Sequence, residues 1–134
     1  EQLSGIVKYY DQRHYERVNR ELDGLEDDGG VHPGTGSTTT INVDTMRLET
    51  IFDVHDVSFI DYLSVDVEGA ELAVMESINY DKVHIDFIGF EDAYSDNSVA
   101  VVDYLKTKNF SLLGNLSWDI FMINNTSKFW RDEK

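Results

Sequence analysis

Cysteine is absent from the 134 residues, and proline occurs once, at Pro33. Without cysteine, thiol nucleophiles, disulfides and thiolate metal sites are excluded, while the redox compartment stays open. Basic residues are few: 11 Lys and Arg stand against 26 Asp and Glu, a formal charge of −15. Such a surface repels phosphate backbones and anionic membranes, so nucleic acid is not an expected partner. No apolar run reaches about eighteen residues, and the first residues are too polar for a signal peptide. This segment is therefore expected neither to touch a membrane nor to direct export; its localisation is left unknown, with a cytoplasmic setting favoured. No serine occupies a glycine-flanked strand-to-helix turn, so no nucleophile elbow can be assembled. His14, His32, His55 and His84 are scattered without ligand spacing and read as surface or helix-end residues.

What is present suits one folded α/β domain, with 41% hydrophobic and 12% aromatic residues. Tyr15, Val18, Leu22 and Leu25 share one helical face, which predicts a helix over 10–25. Residues 27–37, rich in Gly and holding Pro33, read as a mobile loop. Its Gly34-Thr-Gly36 leads into a Thr-rich strand rather than a helix, which argues against a phosphate cradle. Residues 38–43 alternate as a strand does, and Asp44 or Thr45 is the expected cap of a helix carrying Leu48, Ile51 and Phe52. Further on, Phe59 to Val67 and Val83 to Phe90 read as buried strands. Leu72, Met75 and Ile78 mark a helix between them, and Val99, Val102 and Leu105 mark a helix capped by Asp96, Asn97 or Ser98 and stopped at Asn109. Phe110 to Leu116 and Trp118 to Ile123 are so close that they must form an antiparallel hairpin. Residues 124–134 form a polar tail that is expected to fray, and both tryptophans, Trp118 and Trp130, read as packing residues. Alternating strands and helices of this kind predict a mainly parallel sheet covered by helices on both faces, with an antiparallel hairpin at its end.

The chemistry concentrates where the first buried strand meets its helix, in Asp66-Val-Glu-Gly-Ala-Glu71. Asp66 emerges from the end of a buried strand, where a carboxylate must face a cleft or find donors. Glu68 precedes Gly69, whose backbone freedom is expected to aim that carboxylate. Glu71 falls in the first turn of the helix and reads as a complement to the helix dipole. Glu91, ending the next strand, is expected beside Asp66 on the same rim. Neighbouring carboxylates suit a general base or a cation site, although sheet-edge acids also occur without function. Asn115-Leu-Ser117, Asn124-Asn-Thr126 and Asn125-Thr-Ser127 fit the glycosylation pattern, a motif common by chance.

From Leu48 to Ile123 the chain resembles the carboxyl half of the FkbM-type S-adenosylmethionine-dependent methyltransferases. The resemblance rests on Leu48-Glu49 opening a helix, on Ser64-Val-Asp66-Val-Glu68-Gly69-Ala70-Glu71 at a strand-to-helix turn, on Glu91, and on the hairpin of Phe110 to Ile123. Ser64 stands where the family has lysine and Glu49 where it has aspartate. The segment at Leu3 and the helix from Arg13 to Arg20 also look like an acceptor-side insertion of some members. What the resemblance implies is a partial Rossmann-like (class I methyltransferase) sheet whose strands are the fourth to seventh. It also implies S-adenosylmethionine as cofactor and O-methyl transfer to a small-molecule or glycan hydroxyl. Asp66, Glu68 and Glu91 would then be the catalytic residues: Asp66 would lie beside the donor methyl, contributing to the cofactor pocket and acting as base or orienting the acceptor hydroxyl, with Glu68 and Glu91 shaping the cleft.

The family's glycine-rich first turn and its ribose-binding acid have no counterpart before Asp66. The expectation is therefore that residues 1–134 are the carboxyl-terminal part of a single domain, with a missing amino-terminal half or a partner chain covering the sheet edge. Two alternatives stand beside this one: a catalytically inactive α/β interaction domain, and a divalent-cation site made by Asp66, Glu68 and Glu91. Placement of Asp66 among packed side chains, or on the rim opposite Glu91, would overturn the catalytic expectation.

Overall fold

The computed structural model describes residues 12–22, 41–91 and 95–130. The chain divides into two units, Glu1–Thr45 and Met46–Lys134. Within the first unit lies α1 (Gln12–Leu22), in which Gln12 Nε2 donates to Glu16 Oε1 across one turn at 3.0 Å. Tyr15 on this helix is exposed and Val18 half-buried. The loop expected at 27–37 lies outside the described residues. So does most of the strand expected at 38–43, and Ile41 to Val43 are described but form no strand.

The second unit holds the sheet. Its elements in chain order are α2 (Leu48–Val54), β1 (Phe59–Val65), α3 (Glu71–Glu76), β2 (His84–Glu91), α4 (Ser95–Thr107), β3 (Phe110–Leu116) and β4 (Asp119–Asn124). The strands lie in the order β1-β2-β4-β3. β1 and β2 pair in parallel, Phe59 opposite His84 through Val65 opposite Phe90. β2 with β4, and β4 with β3, pair antiparallel. The sheet is thus α/β but not mainly parallel. The hairpin inserts its second strand against β2, so two of the three pairings among the described residues are antiparallel.

β2 is buried along most of its length, whereas β1 is exposed or half-buried until Val65. The core gathers Met75 of α3, Val101 and Leu105 of α4, Ile88 of β2 and Met122 of β4, all fully buried, around Val65, Phe90, Phe110 and Ile120. Each such side chain contributes about 1.5–3 kcal/mol by leaving water. α2 and α3 run only 7 and 6 residues, too short to persist without this packing. Within β2, Gly89 is required by a neighbour: a Cβ there would meet the hydroxyl of Tyr62, which crosses over from β1.

α2 is capped by tertiary contact instead of by Asp44 or Thr45. Its N-cap residue is Arg47, whose side chain makes no cap bond. Arg47 Nη2 donates to Glu76 O at 3.0 Å, Leu48 N–H to Ser77 Oγ at 3.1 Å and Glu49 N–H to Ser77 O at 3.0 Å. The unsatisfied amides opening α2 thus meet the unsatisfied carbonyls closing α3. Asp96, Asn97 and Ser98 lie inside α4, which begins at Ser95, so none of them is its cap. Asn109 ends the helix at φ 69° as expected.

The tail does not fray at once. Residues 125–130 turn back after β4, with Ser127 buried and Phe129 against Phe87 at 5.8 Å between rings. Ser127 and His84 both bond to Asp86, a fully buried carboxylate on β2, with His84 Nε2 3.0 Å from its Oδ1. His84 also stacks on Phe59, so it belongs to a polar cluster and is not a lone surface residue. His55, by contrast, is the exposed C-cap of α2. Trp118 is 70% exposed at the hairpin tip and is no packing residue; Trp130 is half-buried.

Burial alone would raise the pKa of Asp86, but hydrogen bonds from His84 and Ser127, with the charges of His84 and Lys128, outweigh it and hold the carboxyl below its usual value. Its ionised form therefore adds stability above the unfolded pKa of about 3.9, and that contribution vanishes as the pH falls through the lower folded value. Asp86→Asn is expected to cost about 1–3 kcal/mol near neutral pH, since both partners lose a charged acceptor. It should also flatten part of the acid limb in urea-unfolding midpoints measured from about pH 5 downward. An acid limb identical to that of the unaltered chain would assign the titration to another group.

Candidate functional site

The site is built by a strand end, a tight turn and a neighbouring strand end. β1 stops at Val65, 5% exposed, and the next residue, Asp66, is exposed. Because β1 and β2 run parallel with Val65 opposite Phe90, the residues that follow, Asp66 and Glu91, come to the same rim. Glu68 joins them: Asp66, Glu68 and Glu91 each offer a carboxylate oxygen, and these oxygens all lie within 4.8 Å of one another. Asp66 is exposed, while Glu68 and Glu91 are half-buried. Carboxylates brought this close give the rim a negative potential, which suits a cationic or proton-donating ligand. Asp66 is therefore neither packed inside nor on the rim opposite Glu91.

The turn that presents Glu68 is held from below. Glu71, only 2% exposed, uses a single oxygen, Oε1, to accept from Val67 N–H at 3.2 Å and Gly69 N–H at 3.1 Å. This clasp is a stronger role than the dipole complement read from the sequence. Glu68 itself has φ 51° and Gly69 φ 98°. The left-handed conformation was expected at the glycine alone, yet the glutamate shares it, at a cost on the order of 1–2 kcal/mol for a residue with a Cβ.

A cleft of about 770 Å3 opens at the other end of the sheet, bordered by Lys82, His84, Lys108, Asn109, Asn124 and Thr126. Much of its lining is already engaged. Lys82 pairs with Asp53 at 2.7 Å, Asn124 Nδ2 donates to Ile85 O, Thr126 donates to Asn124 Oδ1, and Asn109 Oδ1 accepts from Asn125. Lys108 lies over the rings of Tyr80 and Tyr104. The hydroxyl of Tyr80 donates to Met75 O, and burial pushes its pKa above the usual phenol value. These contacts tie α4 to the turn before β2, and the carboxylate rim remains the better chemical site.

The expected site residues Asp66, Glu68 and Glu91 are thus brought together, and Glu71 is placed beneath them. The sequence reading missed the crossing of Tyr62 over Gly89; a glycine inside an apolar strand was the available signal. Removing the clasp by Glu71→Ala should destabilise the chain by about 1.5–3 kcal/mol in chemical denaturation, since two amides lose a charged acceptor. A loss below about 0.5 kcal/mol, the range of ordinary surface substitutions, would show that the turn holds itself.

A family model, the Methyltransferase FkbM domain, matches residues 9–112, which include Asp66, Glu68, Gly69, Glu71 and Glu91. No curated protein and no solved structure matches the chain. With the match spanning more than half of the residues, and the strand-turn-helix acids of that segment gathered at one rim, the chain belongs to the FkbM methyltransferase domain family.

Proposed function

We propose that this chain contributes the acidic rim of an S-adenosylmethionine-dependent O-methyltransferase that acts on a small-molecule or glycan hydroxyl. The observation that carries it is the convergence of Asp66, Glu68 and Glu91 within 4.8 Å at the carboxyl ends of two parallel strands, the side of an α/β sheet where ligands bind. Membership of the family supports methyl transfer as the class of reaction. The donor group suits this rim in one respect: a sulfonium is a cation, and three carboxylates favour one. When bound, it would supply the electrophilic methyl, whose bond to sulfur would break as the bond to the acceptor oxygen forms, and would leave as the neutral thioether.

Asp66, the exposed member of the cluster, is assigned to the acceptor. Its carboxylate accepts a hydrogen bond from the acceptor hydroxyl, orients that oxygen and takes its proton as the new bond forms. Glu68, held by the strained turn, and Glu91, fixed at the end of β2, shape the wall of the cleft and keep its potential negative. Glu71 is a positioning residue that acts through the turn. In this scheme the four strands are part of a larger Rossmann-like sheet. The outer edge of β1, the strand that ends the described sheet on this side, is covered by a strand from an amino-terminal half or from a partner chain.

The test is transfer of tritiated methyl from S-adenosylmethionine to a panel of sugars and small alcohols, using the gene product and its Asp66→Asn form. The variant should lose about 100-fold or more in rate, the range for a removed general base. Its calorimetric affinity for the donor should stay within a few-fold, because the residue serves the acceptor. Full activity of Asp66→Asn would remove it from the mechanism, and absence of both donor binding and transfer would reject the assignment as a whole.

A further inference from the structure

β4 runs antiparallel to both β2 and β3, so the tip of their hairpin comes to the same rim as the ends of β1 and β2. The register makes this specific: Asp119, the first residue of β4, lies opposite Glu91 on one side and opposite Leu116 on the other. Between Leu116 and Asp119 the chain has only Ser117 and Trp118, and Ser117 takes φ 57°, the left-handed first position that a two-residue hairpin loop needs. So short a loop holds Trp118 at the rim with little freedom to lose when a ligand binds. The side chain of Trp118 is 70% exposed. Glu91 belongs to the carboxylate cluster with Asp66 and Glu68, so an exposed aromatic residue stands at the end of a row of acids.

We infer that Trp118 is an acceptor-binding residue and that the acceptor is a saccharide ring, stacked on the indole with one hydroxyl directed at Asp66. This rests on the methyltransferase reading above and narrows its acceptor to one class. Two observations select that class. The first is span. From Asp66 the rim passes Glu91 and Asp119 before it reaches Trp118, two to three strand spacings, or about 10–14 Å between backbones. A small alcohol held at Asp66 covers little of an indole at that distance, whereas a pyranose ring bearing its own hydroxyls reaches both. The second is the pairing of chemistries. A pyranose presents apolar C–H groups on its face and hydroxyls around its edge; an indole covers the first, and carboxylates accept hydrogen bonds from the second.

Two measurements on the gene product test this. When a panel of methyl pyranosides is titrated in, tryptophan emission should change and saturate, and Trp118→Tyr, in which Trp130 is the tryptophan left in this segment, should lose the change. In transfer assays with the best acceptor of that panel, Trp118→Ala should raise KM about tenfold or more with kcat within about twofold, the pattern of a contact that substrate and transition state share equally. Trp118→Tyr should recover most of the KM, since it restores an aromatic face, and donor affinity should be the same in all three chains. Circular dichroism should be unchanged, because the side chain replaced lies mostly in water. Unchanged KM in Trp118→Ala, while Asp66→Asn still abolishes transfer, would overturn the inference and leave the methyltransferase reading standing. Weakened donor binding in Trp118→Ala would also overturn it, by placing the indole at the donor. A pyranoside response that depends on Trp118, without transfer by the unaltered chain, would keep the saccharide site and reject the methyltransferase reading; no response to any pyranoside would reject the site.

Discussion

The parallel pairing of β1 with β2 is the interaction on which everything else in the second unit depends. Two strands running the same way, in a register that sets Val65 against Phe90, bring Asp66 and Glu91 to one rim whatever the helices do. That register is fixed by burial. Val65 and Phe90 are both within the core, together with Ile88 and Met122, and a one-residue slip would turn them to the opposite face. The carboxylates are therefore held at close range by apolar packing several residues away. The sheet supplies the force that their mutual repulsion opposes.

The turn shows how stability and chemistry are divided between neighbouring acids. Asp66 and Glu68 face the rim, while Glu71 turns inward, is almost fully buried and accepts from two amides of the same turn. A buried carboxylate needs donors to offset its lost hydration, and the Val67 and Gly69 amides provide them. In return, the left-handed pair Glu68 and Gly69 is held in place. The helix contributes little to this arrangement by itself, since α3 has 6 residues, and its far end is tied to α2 through Arg47 and Ser77. A chain of contacts thus links the start of α2, the end of α3 and the acidic turn at its other end.

Much of this was legible in the sequence because it depends on neighbours. The run of β-branched and aromatic residues before Asp66, the glycine after Glu68, the apolar spacing of Leu72 and Met75 and the short link between β3 and β4 each specify local geometry. What escaped notice depends on residues far apart. α2 takes its cap from Ser77, 29 positions on. The tail is tied by Ser127 to Asp86, and the sheet is less parallel than its alternating elements implied because β4 returns beside β2. The left-handed Glu68 also escaped, because the glycine beside it offered a cheaper explanation. Trp118 misled for a related reason: an aromatic after a strand usually packs, and only the hairpin's place at the sheet edge leaves it in solvent.

On the proposed assignment, the placement of charge decides which reactant the acids serve. A carboxylate close to a sulfonium stabilises the full positive charge of the reactant more than the dispersed charge of the transition state, so it aids binding while slightly raising the barrier of the chemical step. The attacking hydroxyl behaves in the opposite way: as its oxygen bonds to carbon its proton becomes acidic, and a carboxylate already hydrogen-bonded to it gains as the reaction proceeds. Asp66 is the exposed member of the three, able to reach an acceptor arriving from solvent. Glu68 and Glu91, half-buried, suit the lasting field of the wall. Division of labour among three like charges thus follows from their unequal exposure.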